Sequence, residues 1–171
     1  MHKLFGLAIF ISLSFNFLVS AQDSAELAPM EDRIPAWAQA VIEKSALIKG
    51  YTILEKYNPF YLEADFNGDE IIDIAFMIEN KIGGKQGVLI INGGDNKPFI
   101  MGAGKDIGMG TDISWCQNWF VFRAKTVYNH ANKKNVKVYL KNPALEIVKK
   151  EDTSLILYWD KRNYKTLVKY L

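Results

Sequence analysis

From Tyr51 to Leu171, turn residues cut the chain into ten apolar or alternating stretches of four to nine residues. Stretches of that length suit strands and are too short for stable helices. They run Tyr51–Tyr57, Phe60–Ala64, Ile71–Ile78, Gly87–Asn92, Pro98–Met101, Trp119–Val127, Val136–Lys141, Leu145–Lys149, Ser154–Trp159 and Tyr164–Leu171. Between them stand Asn58-Pro59, Gly83-Gly84, Gly93-Gly94-Asp95-Asn96, Asn142-Pro143, Glu151-Asp152 and Lys161-Arg162-Asn163, each a recognised turn composition. Ile71–Ile78 is almost wholly apolar, as expected of a central strand buried on both faces. One stretch has helical period. Ala36–Ile48 places Trp37, Val41, Ile42, Ser45 and Ile48 on one face, with Pro35 suited to its first turn and Gly50 to its stop. The predicted fold is mainly β (α+β), an antiparallel meander or sandwich of short strands with one N-terminal helix. No period of 20–50 residues recurs, which excludes a repeat array.

The first twenty-one residues form a separate unit. His2 and Lys3 precede the apolar run Leu4–Val19, and Val19-Ser20-Ala21 fits the small-residue rule for a signal peptidase. The run is short for a bilayer span of about 20 residues. A signal peptide over 1–21 is therefore expected, with a flexible leader over 22–35 and a single β-rich domain over 36–171. The destination is the periplasm, the cell envelope or the outside. No Cys stands near the cleavage point, so a lipoprotein is not expected, and no later segment has the length of a transmembrane helix. The one cysteine, Cys116, has no partner for an internal disulfide. Its neighbours Trp115 and Trp119 predict burial.

Charge is unevenly spread. Gln22–Asn80 holds twelve acids against four bases, and Lys81–Leu171 seven acids against sixteen bases. The lysines are scattered through strand-like segments, so the halves are expected to neutralise each other rather than to bind nucleic acid. Gly102-Ala103-Gly104-Lys105 lacks the first glycine of a phosphate loop, where Phe99 stands, and its Ser or Thr, where Asp106 stands. Nucleotide binding is not expected. With His130 the only histidine after His2, neither a histidine triad nor a histidine-rich zinc site can be assembled.

The chemically specific stretch is Ala64–Glu79, A-D-F-N-G-D-E-I-I-D-I-A-F-M-I-E. Asp65, Asn67, Asp69 and Asp73 occupy relative positions 1, 3, 5 and 9, and the backbone carbonyl of Ile71 falls at position 7. Alternating oxygen donors in a tight turn suit a hard cation such as Ca²⁺. Crowded carboxylates repel, and a divalent cation removes that repulsion. The stretch resembles the calcium loops of FG-GAP and VCBS-type repeat proteins, and more loosely the dockerin loop. The matching positions are Asp65, Asn67, Gly68, Asp69 and Asp73. The resemblance implies a structural Ca²⁺ held by Asp65, Asn67, Asp69, Ile71 and Asp73. Glu70 departs from the glycine usual at position 6, where a left-handed backbone is often needed. Phe76 replaces the bidentate Glu that an EF-hand carries at position 12, leaving a further ligand to water or to another segment. Glu63 and Asp112 have suitable chemistry. One copy of the loop cannot build a propeller.

A second stretch, Gly108–Trp119, sets Thr111, Asp112, Ser114 and Trp115 in a glycine-rich loop that could form a binding rim. The alternative is that both tryptophans anchor the core. Together these features predict an exported, non-catalytic domain with a structural Ca²⁺ loop that binds a protein or glycan at the cell envelope. The alternative is a carboxylate-based hydrolase with its site near the Asp65 loop, which requires Asp112 and the tryptophans to share a cleft with Asp69 and Asp73.

Overall fold

Five consecutive residues, Ile74 to Ile78, are completely buried, and the molecule is layered around them. They lie in strand β3 (Asp73–Asn80), the middle of a five-stranded antiparallel sheet. The structure is a computed structural model that describes residues 28–129, 136–150 and 153–170. The expected signal peptide, the start of the leader, His130, Lys133-Lys134 and the Glu151-Asp152 turn lie outside the described residues. On one edge β3 pairs with β4 (Gln86–Ile91), which pairs with β5 (Pro98–Gly102). On its other edge two short strands lie end to end. These are β1 (Tyr51–Ile53), opposite Ile78–Asn80, and β2 (Tyr61–Ala64), opposite Asp73–Phe76.

Side chains alternate across a strand, so β3 and β4 each serve two cores. Ile74, Phe76, Ile78, Leu89 and Ile91 face the N-terminal segment and cluster with Ile34, Ala38, Ile48, Trp37 and Val41. Ala75, Met77, Val88 and Ile90 face the second sheet and cluster with Trp119, Leu145, Ile147, Leu155, Leu157 and Tyr164. That sheet has the order β11–β10–β9–β6, from β6 (Asn118–Phe122), β9 (Ala144–Lys150), β10 (Thr153–Asp160) and β11 (Asn163–Tyr170). Its outer face is covered by the hairpin of β7 (Thr126–Asn129) and β8 (Val136–Tyr139), where Val127, Leu140, Ala144 and Ile156 form a third cluster. The architecture is a mainly β antiparallel sandwich, with a helix packed outside one sheet and a hairpin outside the other. Neither sheet closes into a barrel or forms a propeller blade.

Several boundaries differ from the sequence reading. The helix α2 runs Ala36–Lys44 and ends where Ser45 turns extended. Ile48 joins the core from a separate 3₁₀ turn, Ile48–Gly50. The expected flexible leader is docked at its C-terminal end. Met30–Arg33 forms a one-turn helix, α1, Ile34 is buried, and the Arg33 guanidinium pairs with Glu55 and lies 4.5 Å from the centre of the Phe60 ring. Trp119–Val127 is two strands, because the chain leaves the second sheet at the exposed Arg123–Lys125 and enters the outer hairpin. Ile71 and Ile72 are half-exposed outside the strand, since the acidic loop still runs through them.

Candidate metal centre

The acidic loop joins β2 to β3 at one end of the sandwich, and its carboxylates organise its backbone. Asp65 Oδ1 accepts the N–H groups of Gly68 (2.6 Å) and Asp69 (3.1 Å), and its Oδ2 accepts that of Glu70 (3.0 Å). Asp69 Oδ1 accepts the N–H of Ile71 (2.9 Å), while its Oδ2 accepts the side-chain amide of Asn67 (2.9 Å). Short polar side chains favour such local turns because they satisfy backbone donors that neither helix nor sheet engages. The chain reverses through two left-handed residues, Gly68 at φ +82° and Glu70 at φ +69°. Position 6 thus has the conformation expected of a cation loop, occupied by a residue that L-chirality disfavours there.

Asp73 closes the loop from inside. It is fully buried; its Oδ2 accepts the N–H groups of Phe66 (2.8 Å) and Asn67 (3.1 Å), and its Oδ1 that of Gly93 (2.9 Å). Burial pushes its carboxyl up to about 6 from an ordinary 3.8 and outweighs the three N–H donors, with Asp69 adding like-charge repulsion. The Tyr164 hydroxyl donates to Asn92 Oδ1 (3.0 Å) and is driven strongly upward, first by burial and then by the negative charges of Asp73, Asp65, Asp69 and Asp95. Four acids therefore surround one end of the sandwich. Among the described residues none of them has a Lys, Arg or His partner within ion-pair distance.

Two other turns clamp this loop. The β4–β5 turn presses against it so closely that a Cβ on Gly94 would sit 2.4 Å from Asp69 Oδ2. From the second sheet, Asn142 donates to the Phe66 carbonyl (3.3 Å), and its amide lies 2.6 Å from where a Cβ on Gly68 would stand. The loop thereby ties both sheets together.

The predicted ligand residues Asp65, Asn67, Asp69, Ile71 and Asp73 are brought into one turn. Among the described residues, however, no three Asp, Glu, His or Cys side chains converge as a ready-made metal cage. The reason lies in the hydrogen bonds just described, which turn carboxylate oxygens toward the loop's own N–H groups. A carboxylate offers about four acceptor sites. Asp65 and Asp73 each engage three, and Asp69 engages two. Hard oxygen acceptors therefore remain on all three, the chemistry Ca²⁺ takes.

Asp112 is not part of this end. Its Oδ1 accepts the N–H groups of Gln86 (2.8 Å) and Ser114 (3.0 Å), and its Oδ2 the Ser114 hydroxyl (2.8 Å). Gln86 begins β4 whereas Gly93, bonded to Asp73, follows its end. At about 3.4 Å per residue the two sites stand roughly 20 Å apart. Asp112 therefore cannot complete the loop's ligand set or form a carboxylate pair with Asp69 or Asp73. Glu63 is exposed on β2, in register with Ile74. The acid sequence reasoning missed is Asp95. Its signal was the hairpin itself, since pairing Gly87–Asn92 against Ile71–Ile78 returns the Gly93–Asn96 turn beside the loop.

In the glycine-rich stretch, Thr111 Oγ1 is bonded to Lys85 Nζ (3.0 Å), and Trp115 is half-buried with Lys149 Nζ 5.6 Å from its ring centre. Trp119 is a core anchor, fully buried with its indole N–H on the Pro59 carbonyl (3.0 Å). Cys116 is half-buried and its thiol is pushed up to about 11 by burial. No helix among the described residues is long and apolar enough to cross a membrane. Compared with protein-family models, with curated proteins and with solved structures, the chain matches none.

Proposed function

We propose that this chain is an exported, non-catalytic binding module, and that the Asp65–Asp73 loop takes one Ca²⁺ that fixes one end of its sandwich. The observation that carries the reading is the buried Asp73 carboxylate. It is crowded by Asp69, with Asp65 and Asp95 nearby, and no cationic side chain among the described residues offsets them. A divalent cation supplies that missing charge without altering the fold. The donors at positions 1, 3, 5 and 9, the carbonyl of Ile71 and the left-handed backbone at Glu70 agree with the resemblance to single FG-GAP and VCBS-type loops. The ion's role is structural, because the loop is clamped by turns from both sheets. The partner is a protein or glycan of the cell envelope. Export rests on the apolar N-terminal run with its small-residue cleavage site.

The test is a melt and a calorimetric titration of residues 22–171 with Ca²⁺. Saturation a hundredfold above Kd adds about 2.7 kcal/mol. At roughly 2–4 °C per kcal/mol for a domain of this size, the melting temperature should rise by about 5–10 °C. Asp69→Asn should blunt the rise while leaving the melt in chelator nearly unchanged. Neither heat nor a melting shift at millimolar Ca²⁺ would dispose of the reading.

A further inference from the structure

Beside the acidic loop lies a cleft of about 300 Å³. It opens between the β8–β9 turn and the β10–β11 hairpin, and Asn67 and Gly68 of the loop form its back wall. Tyr139, Tyr158 and Trp159 border it, and Tyr139 presents the exposed ring, because Tyr158 and Trp159 point to opposite faces of β10. Tyr139 is 71 % exposed, with Lys137 Nζ 4.9 Å from its ring centre. Tyr158 is half-buried over the third core cluster. Trp159 is held edge-on between Phe99 and Tyr164 at centroid distances of 5.5 and 5.0 Å. The polar lining includes Asn142, Lys141 and Lys161. Both lysines are exposed, and among the described residues neither forms an ion pair. The one carboxylate in the wall among the described residues, Asp160, is bonded to Lys165. The lining therefore offers one exposed ring, several hydrogen-bonding groups and two lysines against one carboxylate, and the acidic loop behind it needs its cation before the cleft as a whole favours an anion.

We propose that this cleft is the module's ligand site and that it takes an acidic saccharide, a uronate mono- or disaccharide. Its volume is at the lower end of the ~300–1,000 Å³ typical of small-molecule sites, which excludes burial of a long chain. The exposed Tyr139 ring, apolar on its face and polar at its tip, suits a sugar, whose C–H faces alternate with hydroxyls. Lys141 and Lys161 supply the counter-charge for a carboxylate, and the Asn142 amide oxygen accepts from a hydroxyl. Asn142 also links the cleft to the loop, since its amide nitrogen donates to Phe66 O and its side chain packs on Gly68. A cation that orders the loop therefore orders one wall of the cleft, and the coupling must be reciprocal. The inference rests on the binding-module reading and names its ligand class.

The experiment is a calorimetric titration of residues 22–171 with digalacturonate and with its uncharged methyl ester, each in Ca²⁺ and in chelator. The expected result is binding of the acid at about 1 mM or tighter and binding of the ester at least about tenfold weaker. Lys141→Gln with Lys161→Gln should reduce the acid to the ester's affinity. Tyr139→Ala, at an exposed ring, should weaken both ligands without moving the melting temperature. Absence of heat for the acid at ~10 mM in both buffers, equal affinity for acid and ester, or undiminished binding by the double lysine variant would each overturn the proposal. A calcium melting shift with no saccharide heat removes the cleft and leaves the loop reading intact. Saccharide binding with no calcium melting shift removes the calcium reading and leaves the cleft.

Discussion

Glu70 gives the sharpest test of the loop. It holds a left-handed backbone at φ +69°, which costs an L-residue roughly 1–2 kcal/mol relative to the right-handed form. Glycine there removes the strain but makes the unfolded chain more flexible, at a cost of about 0.5–1 kcal/mol. The net expectation for Glu70→Gly is a gain of about 0.5–1 kcal/mol, a rise of roughly 1–4 °C in melting temperature for a chain of this size. Removing the glutamate also removes a negative charge beside Asp65 and Asp69. Glu70→Ala is therefore the reference, because it deletes the charge and keeps the strain. Both variants should be melted by calorimetry in chelator and in Ca²⁺. The glycine variant should exceed the alanine variant by the same margin in both, since the left-handed turn exists before any cation arrives. Equal stability of the two variants would refute the strain at this position. A margin seen only with Ca²⁺ would show that the turn forms only around the ion.

Other expectations follow from the same contacts. Asp73→Ala should cost at least about 3 kcal/mol by urea denaturation, because the N–H groups of Phe66, Asn67 and Gly93 lose their acceptor at ~1–3 kcal/mol for each donor left buried. Trp119→Ala should cost about 3–5 kcal/mol in the same assay, as it empties the centre of the inter-sheet core and strands the Pro59 carbonyl. The Cys116 thiol, raised to about 11 from 9.0, should react with iodoacetamide at pH 8 at least about a hundredfold more slowly than an ordinary cysteine. Its rate should keep climbing through pH 10 instead of levelling near 9. The sign is the same for stability, because the folded state favours the neutral thiol. That contribution is whole below pH 9 and is lost as pH rises through about 11.

Much of the fold was legible because its signals are local. The apolar runs at Ile74–Ile78 and Val88–Ile91 and the glycine pair at 83–84 each name a strand or turn without knowledge of the rest. The sandwich follows from needing partners for two apolar faces. The gathering of the loop's oxygen donors into one turn was legible for the same reason, since they sit within nine residues. What escaped was tertiary. Nothing near Asp95 announces that its turn presses on Asp69, and nothing near Asn142 announces that its amide bridges to Phe66. The lysines at 141 and 161 read as scattered surface charge until the β8–β9 turn and the β10–β11 hairpin bring them together. The break of Trp119–Val127 at Arg123 was hidden because alternation continues across it while the partner strand changes. Asp112 shows the converse error, in which suitable chemistry in a promising loop lies at the far end of β4.

The two strands laid end to end against β3 bear on how this molecule behaves in a crowded compartment. An exposed sheet edge invites another chain to add a strand. Here β1 and β2 offer only three and four residues each, separated by the irregular Leu54–Phe60 segment. The opposite edge of that sheet, β5, begins at Pro98, which has no N–H to donate. In the second sheet the eight-residue edge β11 carries Lys165 and Lys169, charges that a stacked identical strand would bring together. Short, interrupted or charged edges thus discourage the chain from polymerising through its own backbone.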